Sequence, residues 1–336
     1  MSMNVSISIH PYQLPLVCPL ELAGEMMEER TGWLVEVTDG SGRTGWGEIA
    51  PLPGMSSAEE MAALATWDGD SLESGAVTPA VRCGLDMALF NLGVPELMPE
   101  PLRALTPRHE SLAVNALLIG TVEDMLKQER AAAREGYRTI KIKVGRQDVA
   151  EEVRMLHTIN AHAADDVQFR LDVNRSWTPD DADRYLSVLT EMNVEYIEEP
   201  FSDPRASLAW SQGTGVPIAL DESLRAIEPQ GLHAFAGLRA VILKPTLLGG
   251  FCRCVAYAEA ARKIGAYPVV SAMLESGVGI VSMARFAACV TEDEVAVGLD
   301  TYRWMAHDVL DPRPAIRGGR VSADVWDWSR YRVQVD

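Results

Sequence analysis

Five short apolar runs near the middle of the chain each close on charged residues, and they recur at a nearly even interval. TIKIKV carries Lys141 and Lys143, FRLDVN carries Arg170, Asp172 and Asn174, EYIEEP carries Glu198, IALDES carries Asp221 and Glu222, and VILKP carries Lys244. The steps from Lys143 through Asp172, Glu198 and Asp221 to Lys244 are 29, 26, 23 and 23 residues. Each step has room for one strand, one helix and two short loops. Side chains alternate faces along a strand, so Lys141 and Lys143 share a face, as do Arg170, Asp172 and Asn174. A parallel (β/α) barrel gathers such strand ends at one opening, where barrels of this kind keep their chemistry.

The chain of 336 residues suits a barrel of about 250 residues plus an extra module. Its apolar share of 47% and charged share of 23% are those of a soluble globular enzyme. The net charge of −18 argues against nucleic acid or a membrane surface as partner. Local cations can still receive a small anionic substrate. The five cysteines form no C-x-x-C pair, and their odd number suits a reducing compartment. MSMNVSISIH has no basic region followed by an apolar one, and no run reaches membrane-span length. These features predict a cytoplasmic location; no feature signals an oligomeric state.

Residues 1–105 lack the barrel rhythm and read as a small α+β module. Strands are expected at 32–38 and 44–49 around the turn Asp39-Gly40-Ser41-Gly42, and a helix over 79–92. Ser57 is expected to cap a short helix, and residues 13–30 read as a loop able to cover the barrel mouth. Barrel strands are expected at 112–119, 137–144, 168–174, 194–200, 217–223, 240–245, 267–273 and 296–301, within residues 106–310. Residues 311–336 are expected to pack back on the first module.

Asp172, Glu198 and Asp221 supply hard oxygen ligands from three neighbouring strands, with no histidine or cysteine close in sequence. Such a set suits Mg²⁺, with Mn²⁺ as a substitute. The competing reading, acids paired with lysines in a polar core, has to explain five charged strand ends where barrel interiors are mostly branched and apolar. Lys143 and Lys244 fall on opposite sides of an eight-stranded ring. Lys141 beside Lys143, together with a divalent cation, lowers the pKa of Lys143 and makes it a base. Abstraction of a proton α to a carboxylate then gives an enediolate, which the metal stabilises more than the starting acid. For Lys141 itself, a structural pairing with an acid is nearly as good an account.

Lys-x-Lys, Asp-x-Asn, Glu-Glu-Pro, Asp-Glu-Ser and Lys-Pro in this order resemble the enolase superfamily, in its muconate-lactonizing-enzyme-like branch. That superfamily pairs a lysine or histidine base with Mg²⁺. GWGEIAPLPG (45–54), FRLDVNRSWTP (169–179), ALDESLR (219–225), VILKPTLLGG (241–250) and GLDT (298–301) resemble the o-succinylbenzoate synthase family in particular. The resemblance implies a modified TIM barrel, (β/α)7β, with an N-terminal α+β capping domain completed by the C-terminal segment. It implies Asp172, Glu198 and Asp221 as magnesium ligands, Lys143 as general base and then acid, and Lys244 as the opposite cation. Lys141 and Arg170 match supporting cations, Asn174 and Glu222 match polar neighbours of the metal, and Ser271 and Gly298 match positions lining a succinyl pocket. The implied reaction is dehydration of a cyclohexadiene carboxylate to o-succinylbenzoate, a step of menaquinone biosynthesis.

Racemization of N-succinylamino acids and dipeptide epimerization would use the same two lysines. Epimerases resemble Asp-x-Asp at strand eight, whereas Asp300 is followed by Thr301 and Tyr302. Acid-sugar dehydration recruits a histidine from strand seven, which here reads YPVVSAM. A non-catalytic binding protein on a retired barrel would have lost a ligand or a lysine, and all are present. The turn Glu275-Ser276-Gly277-Val278-Gly279 opens a helix whose N–H groups could face an anion; its glycines serve tight packing equally well.

Overall fold

The computed structural model describes residues 5–22, 25–52, 77–322 and 327–335. The expected helix at Ser57, the end of the 50–54 loop and Trp326 lie outside the described residues. β1 (Val5–Leu22), β2 (Glu25–Asp39) and β3 (Thr44–Ile49) form an antiparallel sheet in that order. Asp39 holds the predicted β2–β3 turn, its Oδ1 accepting the backbone N–H groups of Ser41 (2.9 Å) and Arg43 (3.0 Å).

Of the stretch 13–30 read above as a loop, residues 13–22 and 25–30 instead belong to the paired strands β1 and β2, with a register shift between Pro15 and Leu20. Tyr12, Leu14 and Leu16 are buried while Gln13, Pro15 and Val17 are exposed, the period-two mark of a half-buried strand. Pro15 is accommodated within β1 because that strand lies at the edge of its sheet. Helix Pro79–Leu92 covers the sheet, with Val81, Leu85 and Ala88 packed on Val35, Val37 and Ile49.

β4 (Ser111–Ala113) is followed by the barrel strands β5 (Ala116–Leu118), β6 (Thr139–Lys143), β7 (Gln168–Asp172), β8 (Val194–Glu198), β9 (Ile218–Leu220), β10 (Ala240–Leu243) and β11 (Tyr267–Val270). β5 to β11 are neighbours in chain order, all parallel. Val297 and Gly298 close the ring as a two-residue eighth stave. Val297 N–H donates to Ala113 O at 2.8 Å and Gly298 N–H to Val270 O at 2.9 Å. The stave is shorter than predicted because Asp300–Trp304 turns into a 3-10 helix. The single strand expected over 112–119 is two: β5 joins the barrel, while β4 pairs with Arg320–Ser322 of a C-terminal hairpin.

Ile140, Ile142, Leu171, Ile197, Leu220 and Leu243 point outward and are buried under the helices. Each such side chain contributes about 1.5–3 kcal/mol. The helices start where the chain supplies caps: Thr121 with Asp124, and Thr178 with Asp181, form reciprocal capping boxes. The unit after β9 has two 3-10 segments, Glu222–Arg225 and Pro229–Phe235, in place of the expected α-helix. Pro229 and Gly231 within so short a span leave no room for an α-helical run.

Candidate active site

The opposite parity of the same strands faces the barrel axis. Lys141, Arg170, Tyr196, Ala219, Ile242 and Val269 share this inward parity; two residues further along each strand, nearer the mouth, come Lys143, Asp172, Glu198, Asp221, Lys244 and Ser271. A cavity opens on these strand ends. Its wall includes Lys141, Lys143, Asp172, Lys244, Ser271 and Gly298. Leu20 of the β1–β2 hairpin also reaches it, so part of the stretch expected to cover the mouth does so as a strand.

Lys141 Nζ lies 2.7 Å from Asp172 Oδ2 and 2.7 Å from Glu198 Oε2. Lys143 Nζ donates to Asp172 Oδ2 at 2.6 Å and to Asn174 Oδ1 at 2.8 Å. Lys244 is paired with Asp221, and Asn174 Nδ2 donates to Glu222 Oε1 at 2.8 Å. Asn174 and Glu199 carry non-glycine φ values of 47° and 45° at the ends of β7 and β8. Such backbone conformations cost energy and persist where surrounding contacts hold them. For Glu199, those contacts are the N–H groups of Asp221 (2.9 Å) and Ser223 (2.7 Å).

The three lysines are not equivalent. Burial opposes the charge of each. At Lys141 the carboxylates of Asp172 and Glu198 outweigh it and raise the pKa well above the ordinary value. At Lys244 Asp221 does the same. At Lys143 burial prevails over Asp172, with help from the ammonium groups of Lys141 and Lys244, and its pKa falls. Glu198 is pushed up to about 8 by burial and by the charge of Asp172. Burial also raises Asp221. Asp172 is the exception: the lysines overcome its burial and hold it well below the usual carboxylate range.

Among the described residues no three carboxylates are grouped to take one ion directly; the Lys141 ammonium stands between two of them. The donor set nonetheless fits a hard divalent cation, since Asp172 Oδ1 and Glu222 Oε2 are buried without a hydrogen-bond partner. Arg170 does not line the cavity. It lies one layer deeper, fully buried, with Nε 2.6 Å from Glu195 Oε2 and Nη1 2.8 Å from Ala296 O. Glu195 turns inward because β8 bulges there: Phe169 pairs with Val194 and Arg170 with Tyr196. Ser271 and Gly298 meet across β11 and the eighth stave, where a Cβ on residue 298 would lie 2.5 Å from Ser271 Oγ.

The sequence matches two family models, "Enolase C-terminal domain-like" over residues 124–324 and "MenC, N-terminal domain" over residues 4–92. An o-succinylbenzoate synthase of Vibrio cholerae is 33% identical over 91% of this chain and 92% of its own. One of Proteus mirabilis is 31% identical over 87% and 89%. The chain belongs to the o-succinylbenzoate synthase family, lyases of the enolase superfamily. Among solved structures, the muconate lactonizing enzyme of Pseudomonas fluorescens has the same fold, with TM-score 0.80 at 21% identity over 96% of this chain and 94% of that one. A dipeptide epimerase of Methylococcus capsulatus, complexed with Mg and a dipeptide, superposes with TM-score 0.78 at 25% identity over 96% and 97%.

In this member of the family, sequence reasoning did not single out the residues that join the N-terminal sheet to the barrel. Glu48 of β3 is fully buried and accepts from Ser276 N (2.9 Å), Ser276 Oγ (2.7 Å), Gly279 N (2.8 Å) and the Tyr12 hydroxyl. The helix Gly277–Val290 therefore does face a carboxyl group at its N-terminus, the protein's own, which burial and the charge of Glu275 push up to about 7. Gly279 serves that approach, since a Cβ on residue 279 would lie 2.6 Å from Glu48 Oε2. Asp86 of helix Pro79–Leu92 likewise accepts Cys252 N–H (2.9 Å) in the first turn of helix Phe251–Lys263. Arg30, buried and without a carboxylate partner among the described residues, donates to Pro51 O (2.6 Å) and to Leu274 O (3.0 Å) on the cavity wall.

Proposed function

We propose that this enzyme catalyses the Mg²⁺-dependent syn-dehydration of 2-succinyl-6-hydroxy-2,4-cyclohexadiene-1-carboxylate to o-succinylbenzoate in menaquinone biosynthesis. The observation that carries this reading is the pair of lysines lining one cavity from well-separated strands, Lys143 from β6 and Lys244 from β10, each against a different carboxylate. Asp172, Glu198 and Asp221 would hold the magnesium ion, with Mn²⁺ as a substitute; Glu222 and Asn174 would stand behind them. When bound, the ion supplies positive charge that favours the developing enediolate over the ground-state carboxylate.

Lys143, whose ammonium is disfavoured by burial, takes the proton α to the ring carboxylate. The C–H electron pair moves into the carboxylate as an enediolate. Lys244, whose charge is favoured by Asp221, remains an ammonium and stabilises that negative charge. Lys143 then returns its proton to the departing hydroxide on the same face, and water leaves as the ring becomes aromatic. One base and one permanent cation suit dehydration better than racemization, which asks both lysines to exchange protons. Asp300 counts against dipeptide epimerization alone: its carboxylate accepts from Leu117 N (2.9 Å) and the Tyr137 hydroxyl (3.0 Å) and lies 3.1 Å from Arg303 Nη1, instead of standing free for a substrate amine.

The division at residues 105 and 310, the last segment completing the cap, and a cytoplasmic location belong to the same reading. Among the described residues no helix is long and apolar enough to cross a membrane. The test is ultraviolet-monitored conversion of the cyclohexadiene with Mg²⁺ and with EDTA, alongside deuterium exchange into N-succinyl amino acids. Metal-dependent dehydration with negligible exchange supports the proposal. Efficient exchange with no dehydration replaces it by racemization.

A further inference from the structure

Among the described residues the cavity wall carries four cations, Lys141, Lys143, Lys244 and Arg146. Each lysine is against a carboxylate. Arg146 is different: its guanidinium has no ion pair or hydrogen bond among the described residues, and it stands exposed at the rim. In a chain of net charge −18, a cation left unpaired beside the reaction cavity is an uncommon use of charge.

The backbone under Arg146 is held with care. Glu152, fully buried, accepts three consecutive N–H groups, from Gly145 (2.7 Å), Arg146 (3.0 Å) and Gln147 (3.0 Å), and also the Tyr185 hydroxyl. Tyr185 is stacked on Trp177 with ring centroids 4.3 Å apart. Gln147 Nε2 ties the loop to Gly120 O at 3.1 Å. Gly145, at φ +77°, lies where a Cβ would strike Ser176 Oγ. A buried carboxylate is costly unless every lone pair is engaged, and here the engagement fixes one turn of backbone. The side chain which that turn delivers to the cavity is Arg146. Positioned on a rigid base, a planar guanidinium is suited to bidentate recognition of a carboxylate.

We infer that Arg146 binds a second substrate carboxylate, remote from the one that reacts between Lys143 and Lys244, and so selects dianionic over monoanionic substrates. This rests on the proposed reaction, in which the second carboxylate is the end of the succinyl chain. Ser271 and Gly298 shape the slot that this chain would follow; neither supplies a charge to meet its end.

The experiment measures binding of o-succinylbenzoate and of its succinyl monoamide, by quenching of tryptophan fluorescence, to the wild type, Arg146→Ala and Arg146→Lys, together with KM for the cyclohexadiene. Arg146→Ala is expected to weaken the diacid and raise KM about 10- to 100-fold, with a smaller loss in Arg146→Lys. The monoamide is expected to bind wild type and Arg146→Ala alike. Diacid binding within about twofold of wild type in Arg146→Ala, or equal weakening of diacid and monoamide, overturns the inference. A wild type that binds the diacid through Arg146 but does not dehydrate the cyclohexadiene removes the proposed reaction and leaves this site standing. A wild type that does neither removes both.

Discussion

Lys143 and Lys141 lie two residues apart on one strand, yet their surroundings drive them in opposite directions. Lys141 touches two carboxylates and Lys143 one, shared with Lys141. That difference in partners separates a fixed cation from a base. Replacing Lys143 by Ala is expected to lower turnover by at least about 10³-fold while the far-ultraviolet circular dichroism is unchanged. Near-normal turnover would remove Lys143 from the chemistry. Asp221 makes a different prediction. Millimolar Mg²⁺ is expected to raise the melting temperature of the wild type above what equal ionic strength achieves, because a ligand of the native state alone stabilises it. In Asp221→Asn that increment is expected to shrink or vanish; an unchanged increment would refute its role as a ligand.

Among elements, two helix N-termini of the barrel are capped by carboxylates from the N-terminal module: Glu48 on Gly277–Val290 and Asp86 on Phe251–Lys263. Burial raises Asp86 from the usual carboxylate value to about 6. Between about pH 4 and 6 the unfolded chain has then lost this proton while the native state keeps it. The native state binds more protons, so this group makes stability fall as pH rises through that window, by roughly 3 kcal/mol in all. Asp86→Asn is expected to flatten that part of the melting-temperature profile; a profile that keeps its slope would show that other groups set it. Glu48→Ala leaves Ser276 N, Gly279 N and the Tyr12 hydroxyl buried without their acceptor. Its cost is expected to be roughly 3 kcal/mol in denaturant unfolding, and a loss below about 1 kcal/mol would mean that water replaces the carboxylate.

At the scale of the whole molecule, the barrel was legible because parity and interval survive in one dimension. Lys143, Asp172, Glu198, Asp221 and Lys244 recur at strand ends, and outward residues such as Ile142 and Leu171 alternate with them. The period of a strand and the length of a β-α unit are local properties, so the sequence by itself determined the barrel, the strands that face its mouth and the acids and lysines gathered there. It misled where local signals conflict with distant partners. The stretch 13–30 read as a loop, but an edge position lets Pro15 stay in β1. The β8 bulge that turns Glu195 toward Arg170 depends on pairing with β7. Glu48, Asp86 and Arg30 look like surface charges in the sequence, and only docking of the sheet and helix against the barrel buries them. Which acid each lysine meets, and hence which lysine is left a base, was likewise decided by tertiary structure. Ion pairing and desolvation depend on distances between strands far apart in the chain, and no local pattern encodes those.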